Sequence, residues 1–321
     1  MAATFIFCAD PLRPRSTDRH FADEAHAVRA LGHPVALVDH DALTAGDPAA
    51  AVARVPKGAG PAWYRGWMLT AAQYGALDAA LAARGVTLVT TPGDYRRAHE
   101  LPGWYDVFAP RTPRSMWLPC TPGTPPDQRS LATAATALGG GPGIVKDYVK
   151  SHKHEWDEAC YVPDLADTHR LASVVGRFLE LRADALVGGV VIRAFENFRT
   201  ALGEVRVWWV DGEPVLLTAH PDTPGLRPEP EPDTAFVRPL VTALGCRFVT
   251  TDLALREDGR WRVVEVGDGQ VSDLPRGAPA QPLLQRLATA GDAGGTGAAP
   301  GAQGHPDGPC VPPPAAEFTS S

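Results

Sequence analysis

Two Asp-Gly dipeptides in the second half of the chain constrain its fold more than any other feature. Asp211-Gly212 and Asp258-Gly259 each lie between two apolar runs, and an Asp-Gly in that position is a strong signal for the tight turn of a β-hairpin. We therefore predict two antiparallel hairpins and, with helices at 128–138 and 165–180, an α+β domain in this half. The predicted strands are 144–149, 186–195, 205–210, 214–218, 247–255 and 261–266.

The first 135 residues have a different rhythm, in which strand and helix signals alternate. Such alternation is typical of an α/β domain with an open, mostly parallel sheet. The predicted strands are 4–8, 34–38, 62–67 and 86–89, and the predicted helices are 17–31 and 70–84. Because ligands of such sheets bind beyond the carboxyl ends of the strands, the segments 64–67 and 90–92 are candidate binding loops; the alternative is that they are ordinary loop and core residues.

Two segments of biased composition divide the chain. Residues 110–126 are rich in proline and are predicted to be an exposed connector, so we place the first domain at 1–135 and the second at 136–288. Residues 289–321 are rich in Gly, Ala and Pro and contain no Lys or Arg, which predicts a disordered tail without chemistry. The expected fold is an α/β domain, an α+β domain with antiparallel hairpins, and this tail.

Charge and cysteine usage argue against several classes of protein. The 321 residues include 30 Lys and Arg against 37 Asp and Glu, a formal charge of −7, whereas nucleic-acid-binding proteins usually present a basic surface. No apolar run reaches the ~18 residues of a membrane span, and the N-terminal residues lack the basic region of a signal peptide. The five cysteines are scattered without a CxxC pair, which favours a reducing cytoplasm over a disulfide framework or a zinc ribbon.

The second hairpin places two carboxylates opposite each other. If Asp258-Gly259 is a two-residue loop, Asp252 lies directly across from Glu265, with Cβ atoms about 4.5–5.5 Å apart. Facing like charges destabilise a sheet unless a cation lies between them. Oxygen ligands on two strands suit Mg²⁺, which also binds substrate phosphates. The alternative is that one carboxylate points to solvent or pairs with an arginine.

Three cationic side chains interrupt apolar strands, namely Lys146, Arg193 and Arg206. A charged side chain within an apolar strand is costly unless it is paired, and a phosphate is one suitable partner. Together with the carboxylate pair, these cations predict a site for a nucleoside triphosphate and Mg²⁺. Neither a Walker-type phosphate loop nor a GxGxxG fingerprint is present. For Lys146, the alternative is an edge-strand lysine that prevents aggregation.

Five short motifs follow one another between residues 143 and 275. They are Ile144-Val-Lys146, Val190-Val-Ile-Arg193, Glu204-Val-Arg206-Val-Trp-Trp-Val-Asp-Gly212, Thr251-Asp252-Leu253 and Val263-Val-Glu265-Val-Gly-Asp268-Gly-Gln270. In this order they resemble the ATP-grasp superfamily, in particular the clade named for two arginines and a lysine. The first 135 residues match the family's preceding α/β domain in outline. The resemblance implies an ATP-grasp fold, in which two α+β subdomains clamp ATP.

The resemblance implies roles for the cationic side chains. Lys146 matches the lysine that contacts the nucleotide phosphates. Arg193 and Arg206 match the clade's arginines, which as catalytic residues would hold the terminal phosphoryl group or the acyl-phosphate oxygens. The family's glycine-rich lid is replaced by the charged segment 150–155, from which Lys150 or Lys153 would reach the phosphates. The alternative for this segment is a solvated loop.

The resemblance also implies where the nucleoside binds. The strand 190–194 lies near the hinge whose backbone contacts adenine, which makes Ile192 a cofactor-binding residue. Glu196, just beyond this strand, is then expected to bind the ribose.

The implied metal site departs from the family at one position. Asp252 and Glu265 match the acidic residues that bind Mg²⁺, for which Mn²⁺ is a potential substitute. The family commonly has Glu-x-Asn at the metal, whereas this chain has Gly267 at the third position. Asp268 or Gln270 would take the role of the asparagine, and we assign Asp268 as a further metal ligand.

The implied function is ligation of a carboxylate to an amine. ATP phosphorylates the carboxylate of an unidentified small molecule or peptide, and an amine attacks the acyl-phosphate. Mg²⁺ and the arginines neutralise the developing charge, and no Ser or Cys nucleophile is needed. The alternatives are another ATP-dependent phosphoryl-transfer enzyme, such as a small-molecule kinase, and a catalytically inactive nucleotide-binding regulatory protein. The missing asparagine leaves the regulatory protein open, whereas the retained cations and carboxylates argue against it.

Other residues form weaker patterns. The first domain offers three candidates for the acceptor pocket, Arg65, Trp67 and Arg96, of which Arg65 would clamp a substrate carboxylate. His152 and His154 suggest a zinc site, but no further ligands have matching spacing. Cys160 has no motif context that predicts a nucleophile.

Overall fold

The structure is a computed structural model that describes residues 2–293. In this range the strands form one sheet of five strands and two sheets of four. The first sheet contains β1 (Thr4–Asp10), β2 (Arg13–Thr17), β3 (Val35–Val38), β4 (Gly60–Arg65) and β5 (Val86–Leu88). Strands β3 and β4 pair parallel with β1, and β5 pairs parallel with β4, whereas β2 folds back antiparallel onto β1. The predicted α/β fold with a mostly parallel sheet is confirmed.

Helices of very different length accompany this sheet. They are α1 (Ala22–Ala30), α2 (His40–Thr44), α3 (Pro48–Ala51), α4 (Ala71–Ala82), α5 (Pro92–His99) and α6 (Leu101–Phe108). A capping box between Thr70 and Gln73 starts α4 close to its predicted position. The helix predicted at 17–31 is shorter, because residues 13–17 form β2. The sequence patterns missed α5 and α6, in which proline lies in the first turn, where helices tolerate it.

The second sheet, in the order β6-β9-β7-β8, is antiparallel throughout. Its strands are β6 (Ser115–Pro119), β7 (Gly143–Lys146), β8 (Tyr161–Val162) and β9 (Gly189–Ala194), and it packs with helices α7 (Gln128–Leu138) and α8 (Thr168–Arg182). The expected connector 110–126 therefore contains a strand, whose Ser115 pairs with Arg193. The boundary expected at 135/136 falls inside α7. The sequence placed it there because β6 is recognisable only through its pairing with the distant β9.

The third sheet contains both predicted hairpins. Its strands, in the order β11-β10-β12-β13, are β10 (Val205–Val210), β11 (Glu213–Ala219), β12 (Phe248–Leu255) and β13 (Trp261–Asp268). Helices α9 (Arg238–Leu244) and α10 (Gln281–Ala293) complete the described chain. All neighbouring strands of this sheet run antiparallel, so the expected α+β architecture with antiparallel hairpins is confirmed.

One hydrophobic core joins the first sheet to the third. Trp208 and Phe248 of the third sheet belong to the same buried cluster as Trp63 of the first, and the Trp63 and Phe248 rings lie 5.9 Å apart between centroids. Helix α10 closes this core, where Trp63 Nε1 donates a hydrogen bond to the Leu287 carbonyl at 2.9 Å. The two sheets are thereby fixed relative to each other.

Helix α10 extends past the boundary expected at residue 288. Residues 289–293 form its last turn, in which the Asp292 carboxylate accepts a hydrogen bond from the Ala3 N–H at 2.7 Å. This turn consists largely of small residues, which give no clear helix signal in the sequence. Packing requires one of them, since a Cβ on Gly291 would lie 2.5 Å from the Ala3 Cβ. The rest of the predicted tail lies outside the described residues. Within residues 2–293, we find no helix with the length and apolar character needed to cross a membrane.

Candidate functional site

A cleft of about 390 Å³ is lined by all three parts of the fold. Its walls come from β7 and the segment after it, from the third sheet, and from Met68 and His99 in the N-terminal part. The charged residues among them are Lys146, Lys150, Lys153, Arg206, Asp222, Asp252, Glu265, Asp268 and Asp273. The cleft therefore collects most of the site residues predicted from the sequence.

The hairpin of β12 and β13 confirms that Asp252 and Glu265 face each other, although the strand pairing nearer the turn differs from the predicted one. The two are direct partners, but nearer the turn Leu253 pairs with Val263, one residue out of the predicted register. The loop is one residue longer than expected, and Val264 is an extra residue that forms a bulge in β13. Because each departure shifts the register by one residue, the two cancel at Asp252.

Asp252 is buried and is held by cations of the protein itself. Arg206, its partner on β10, donates one hydrogen bond to each carboxylate oxygen, both at 2.8 Å, and His220 Nε2 lies 3.5 Å from Oδ2. Burial acts to raise the pKa of Asp252, but Arg206 and His220 outweigh burial and hold it well below its usual value. The arginine pairing that the sequence left as an alternative is therefore present at Asp252.

Lys146 and Glu265 form the second charge pair of the cleft. The Lys146 ammonium lies 3.3 Å from Glu265 Oε1. Burial lowers the pKa of Lys146 in spite of this partner. Burial also acts to raise the pKa of Glu265, but the charge of Lys146 outweighs it, so that the pKa of Glu265 is lowered. The Glu265 side chain is 39% exposed, which leaves it accessible to a ligand.

The segment between β7 and β8 adds further cations to the cleft. Lys150, Lys153 and His154 are among its lining residues. Desolvation by the surrounding cleft opposes the charge of Lys153, but Glu204, Glu265 and other carboxylates outweigh it and raise the pKa of this lysine. The charged segment expected in place of a glycine-rich lid thus borders the cleft.

The sequence patterns did not single out Glu204 and His220, which lie beside Asp252. Ligand atoms of these three side chains all lie within 4.8 Å of one another. Glu204 precedes β10 on the same face as Arg206. His220 lies one residue beyond β11, and its backbone N–H donates a hydrogen bond to the backbone carbonyl of Glu204 at 3.0 Å. Both residues could have been found from the sequence by extending the alternating pattern of β10 and β11 by one residue, at the start of β10 and at the end of β11.

Glu204, His220 and Asp252 have ligand atoms close enough to hold a metal ion, and Glu265 is the strand partner of Asp252. Burial and then the charge of Asp252 raise the pKa of Glu204, and the charge of Asp252 also acts to raise the pKa of Glu265. A bound cation relieves this crowding of like charges, and oxygen donors are those that Mg²⁺ prefers.

Gly267 leaves little room for the asparagine that the resemblance implies at this position. A Cβ at this position would lie 3.0 Å from Thr250 Oγ1 and 3.2 Å from Ser272 Oγ. These two hydroxyl groups are hydrogen-bonded to each other at 2.7 Å, and both residues line the cleft. Two hydroxyls therefore stand close to where an asparagine side chain would begin.

Comparison with known families decides the identity of this part of the fold. Residues 137–287 match the model of an ATP-grasp domain, the third family of the clade named for two arginines and a lysine. This range of the chain is an ATP-grasp domain. The matched range of the ATP-grasp domain includes both charge pairs of the cleft. Among proteins of curated function, none matches this chain significantly.

Solved structures share the ATP-grasp fold over about nine-tenths of the chain. D-cycloserine synthetase DcsG is 16% identical, with a TM-score of 0.60 over 90% of this chain and 99% of that one. The D-alanine-D-alanine ligase of Coxiella burnetii is 13% identical, with a TM-score of 0.57 over 91% and 94%. The ATP-grasp ligase PsnB, complexed with a minimal precursor, is 15% identical, with a TM-score of 0.54 over 90% and 100%. Likeness at this identity concerns the fold.

Arg193 lies inside the ATP-grasp domain and not in its cleft. The guanidinium donates hydrogen bonds to Ser115 Oγ at 2.9 Å, to Thr112 Oγ1 at 3.0 Å and to the carbonyl of the bulge residue Val264 at 2.6 Å. Burial lowers its pKa to about 10. The contacts of this arginine join β9 to β13, and they do not support the phosphate contact that the resemblance implies.

Ile192 and Glu196 also lie outside the cleft. Ile192 is fully buried in the middle of its sheet, where it pairs with Met116 and Val145. The Glu196 carboxylate accepts two hydrogen bonds from Arg262, at 2.9 and 3.0 Å. These contacts support neither the adenine contact at residue 192 nor the ribose contact at residue 196.

Asp268 lines the cleft but does not join the other carboxylates. It lies three residues after Glu265 in a regular stretch of β13, so its side chain leaves the opposite face of the strand. Its Oδ1 atom accepts hydrogen bonds from Gln270 N at 2.9 Å and from Gln270 Nε2 at 3.1 Å. The structure therefore does not bring Asp268 to the position of a metal ligand beside Asp252 and Glu265.

Arg65 is a buried structural residue of the interface between the N-terminal part and the ATP-grasp domain. It donates two hydrogen bonds to Glu24, at 2.7 and 2.9 Å. Its NH1 group donates to the carbonyls of Gln270 at 3.0 Å and Ser272 at 2.6 Å. It thus fixes the segment after β13 and is not available to clamp a substrate carboxylate.

The remaining candidates have partners of their own. Trp67 Nε1 donates a hydrogen bond to Asp18 at 3.0 Å, and Arg96 Nε lies 3.1 Å from Glu100. His152 Nδ1 lies 3.1 Å from Glu155. Within residues 2–293, neither histidine of the segment 150–155 belongs to a cluster of three ligand-type side chains, so the zinc alternative has no structural support.

Proposed function

We propose that this protein is an ATP- and Mg²⁺-dependent ligase that joins a carboxylate to an amine through an acyl-phosphate. The observation that carries the proposal is the cleft, in which cations of β7 and the following segment face carboxylates of the third sheet. A reaction between two anions, ATP and a carboxylate, requires such a concentration of compensating charge.

The cationic wall is suited to the phosphates of ATP. Lys146 is buried at the end of β7 with its ammonium in the cleft, and Lys150 and Lys153 border the same space. Charge-assisted hydrogen bonds from lysines to phosphate are stronger than neutral ones. Burial also lowers the pKa of Lys146, and a bound phosphate would compensate for that burial by stabilising the ammonium form.

The carboxylate wall is suited to Mg²⁺, with Mn²⁺ as a substitute. Glu204 and Glu265 would provide oxygen ligands, and Asp252 would provide a third, since a carboxylate has about four lone-pair sites and Arg206 uses one on each oxygen. When bound, the metal screens the charge of the phosphates. Arg206 is held rigidly beside this position, so its guanidinium is preorganised for negative charge that develops on the transferred phosphoryl group.

In the proposed reaction, a carboxylate oxygen of the substrate attacks the terminal phosphorus of ATP, the bond to ADP breaks, and an acyl-phosphate forms. The amine then attacks the acyl carbon, and inorganic phosphate leaves. The protein supplies no nucleophile, which agrees with the complete burial of Cys160 and with the rise of its pKa to about 11 on burial. Substrates are proposed to be small molecules or peptides, because relatives of this fold include a D-cycloserine synthetase and PsnB bound to a minimal precursor.

Release of ADP tests this function. We expect full-length protein with Mg·ATP to release ADP when pools of amino acids and short peptides supply both a carboxylate and an amine. Mass spectrometry would then detect a product lighter by one water than the sum of two substrates. A phosphate-ester product would contradict ligation and favour a kinase, whereas nucleotide binding without ADP release in any pool would favour a regulatory protein.

A regulatory protein stays as the second candidate because of two features of the site. Gly267 stands where the family commonly has a metal-binding asparagine, and Thr250 and Ser272 border that position. In addition, Asp252 and Glu265 each have a cationic partner within the protein. Such a site would hold a nucleotide more readily than it would hold two metal ions.

A further inference from the structure

One carboxylate beside the cleft has no partner among residues 2–293. Glu204 is half-buried, and its carboxylate forms neither a hydrogen bond nor an ion pair within this range. The other two carboxylates on this face of the third sheet are paired, Asp252 with Arg206 and Glu265 with Lys146. Three carboxylates therefore stand against two directly paired cations, and a bound cation would compensate the third.

Glu204 and His220 are neighbours across the hairpin of β10 and β11. The backbone N–H of His220 donates a hydrogen bond to the Glu204 carbonyl at 3.0 Å, so the two side chains lie on the same face of the sheet. Their ligand atoms and those of Asp252 all lie within 4.8 Å of one another. His220 and Asp252 line the cleft, which gives an ion a route to the cluster from solvent.

The imidazole of His220 turns one nitrogen toward this cluster. Its Nε2 atom lies 3.5 Å from Asp252 Oδ2 and 3.0 Å from an N–H donor of Arg206, whereas Nδ1 lies 3.2 Å from the backbone nitrogen of Asp222. A neutral imidazole accepts a hydrogen bond at one nitrogen only. The lone pair belongs to Nε2, because an arginine has donors only and its contact is the shorter of the two.

Asp222 completes the orientation of this ring. With the lone pair on Nε2, the Nδ1 atom carries the proton and lies 3.7 Å from an Asp222 carboxylate oxygen. Histidines that bind metals commonly direct their second ring N–H to a carboxylate in this way. A metal at Nε2 would take the place of the Arg206 N–H, while the guanidinium keeps its two hydrogen bonds to Asp252.

The donor set of one imidazole nitrogen and two carboxylates determines the kind of ion. Mg²⁺ prefers oxygen ligands and retains several waters, whereas imidazole is a typical ligand of first-row transition metals. Three protein ligands with a further position open are the arrangement of catalytic zinc sites. A nitrogen ligand beside Asp252 therefore favours a transition metal over Mg²⁺.

We propose that His220 Nε2, Glu204 and Asp252 bind a first-row transition metal ion, such as Zn²⁺ or Co²⁺, in preference to Mg²⁺. The role of this ion beside the phosphates rests on the proposed ligase function, whereas its binding is a property of the free cleft. The ligands lie on the β10 side of β12. On the other side, β13 has Gly267 in place of the asparagine that the resemblance implies.

Calorimetric titration of the nucleotide-free, chelator-treated full chain with CoCl₂ and with MgCl₂ tests the proposal. At about pH 8, where imidazole is mostly neutral, we expect wild type to bind Co²⁺ at least about tenfold more tightly than Mg²⁺. The visible absorption of bound Co²⁺ should persist in excess MgCl₂ and disappear when ZnCl₂ is added. Both measurements on wild type stand whether or not a variant folds.

Two variants and a control assign the ligands. His220→Gln replaces the imidazole nitrogen with an amide group, and Co²⁺ affinity should fall at least about tenfold while Mg²⁺ affinity stays unchanged. Glu204→Gln removes a charged ligand and should weaken the binding of both ions. His154→Gln changes another histidine that lines the same cleft and should bind both ions normally. Circular dichroism establishes that each variant is folded.

Three results would overturn the proposal. The first is equal affinity of wild type for Co²⁺ and Mg²⁺, the second is unchanged Co²⁺ affinity in folded His220→Gln, and the third is an equal loss in His154→Gln. Titration of wild type with Mg·ATP separates this proposal from the proposed function. Normal Mg·ATP binding without a preference for Co²⁺ contradicts only the role of His220. Preferential Co²⁺ binding that depends on His220, without any binding of nucleotide, supports the metal site and contradicts the ligase.

Discussion

Glu265 carries a charge that neutralises Lys146 in the free protein and that would bind Mg²⁺ in the proposed complex. From the register alone, Glu265 and Asp252 would repel, and removing one charge would leave the free protein at least as stable. The contact with Lys146 at 3.3 Å reverses that expectation.

Glu265→Gln should therefore weaken the free protein slightly and remove its response to Mg·ATP. We expect a loss of about 1 kcal/mol or less, because solvent screens a pair whose acidic partner is 39% exposed. Thermal melts with and without Mg·ATP measure both effects, and Glu257→Gln, an exposed residue of the same hairpin, is the control. A Glu265→Gln variant that gains the normal stabilisation from Mg·ATP would contradict the metal assignment.

Asp268→Asn should change how stability depends on pH. Burial raises the pKa of Asp268 to about 7, from ~3.9 in an unfolded chain. The folded protein binds this proton more tightly than the unfolded chain, so the contribution of Asp268 is greatest below about pH 4 and declines as the pH rises to about 7.

The asparagine variant should thus gain stability relative to wild type across this range, by a total on the order of 4 kcal/mol. Chemical denaturation of both proteins between about pH 4 and about pH 8 measures the difference. Parallel curves for the two proteins would show that Asp268 titrates normally.

Charged residues inside apolar strands identified much of the site, but the pattern does not separate functional from structural charges. Lys146 and Arg206 line the cleft, whereas Arg193, which gives the same signal, is buried among hydrogen-bond partners. Those partners include Thr112 and Ser115, about eighty residues away in sequence. A local pattern contains no information about such distant contacts.

The hairpin of β12 and β13 shows how an element is specified by features that act together. Its loop and its bulge each shift the pairing by one residue, and only their combination brings Asp252 opposite Glu265. A turn signal predicts the hairpin, but a bulge held by a contact with another sheet has no local signal. Arg193 supplies that contact through the Val264 carbonyl.

Arg193→Lys tests whether this arginine stabilises the packing of β9 against β13 or takes part in the reaction. A lysine keeps the charge but cannot replace three hydrogen bonds of a planar fork, so we expect a loss of stability on the order of 3 kcal/mol. Mg·ATP affinity, measured by calorimetry at a temperature where the variant is folded, should change little. A variant of normal stability that lacks turnover would instead support the catalytic role that the resemblance implies. Arg199→Lys, at an exposed position, is the matched control.

Across the whole molecule, the sequence predicted the architecture from the alternation of strands and helices in the first part and from the hairpins in the second. It did not predict the borders between the parts. Strand β6 lies in a proline-rich segment and becomes recognisable only through its pairing with β9. The core shared by the first and third sheets likewise depends on long-range packing of Trp63 against Phe248. Composition therefore divides the chain at places where the structure is continuous.

Calorimetric titration tests most directly whether the cleft around Lys146, Asp252 and Glu265 binds Mg·ATP. Lys146→Ala should keep the fold, because it removes a buried charge whose partner is partly exposed. Lys57→Ala changes an exposed lysine of the N-terminal part and is the control. We predict that Mg·ATP binds Lys146→Ala at least about tenfold more weakly than wild type, a difference of ~1.4 kcal/mol, while Lys57→Ala binds normally. Equal affinity of Mg·ATP for Lys146→Ala and wild type would contradict the proposal that this cleft binds the nucleotide phosphates.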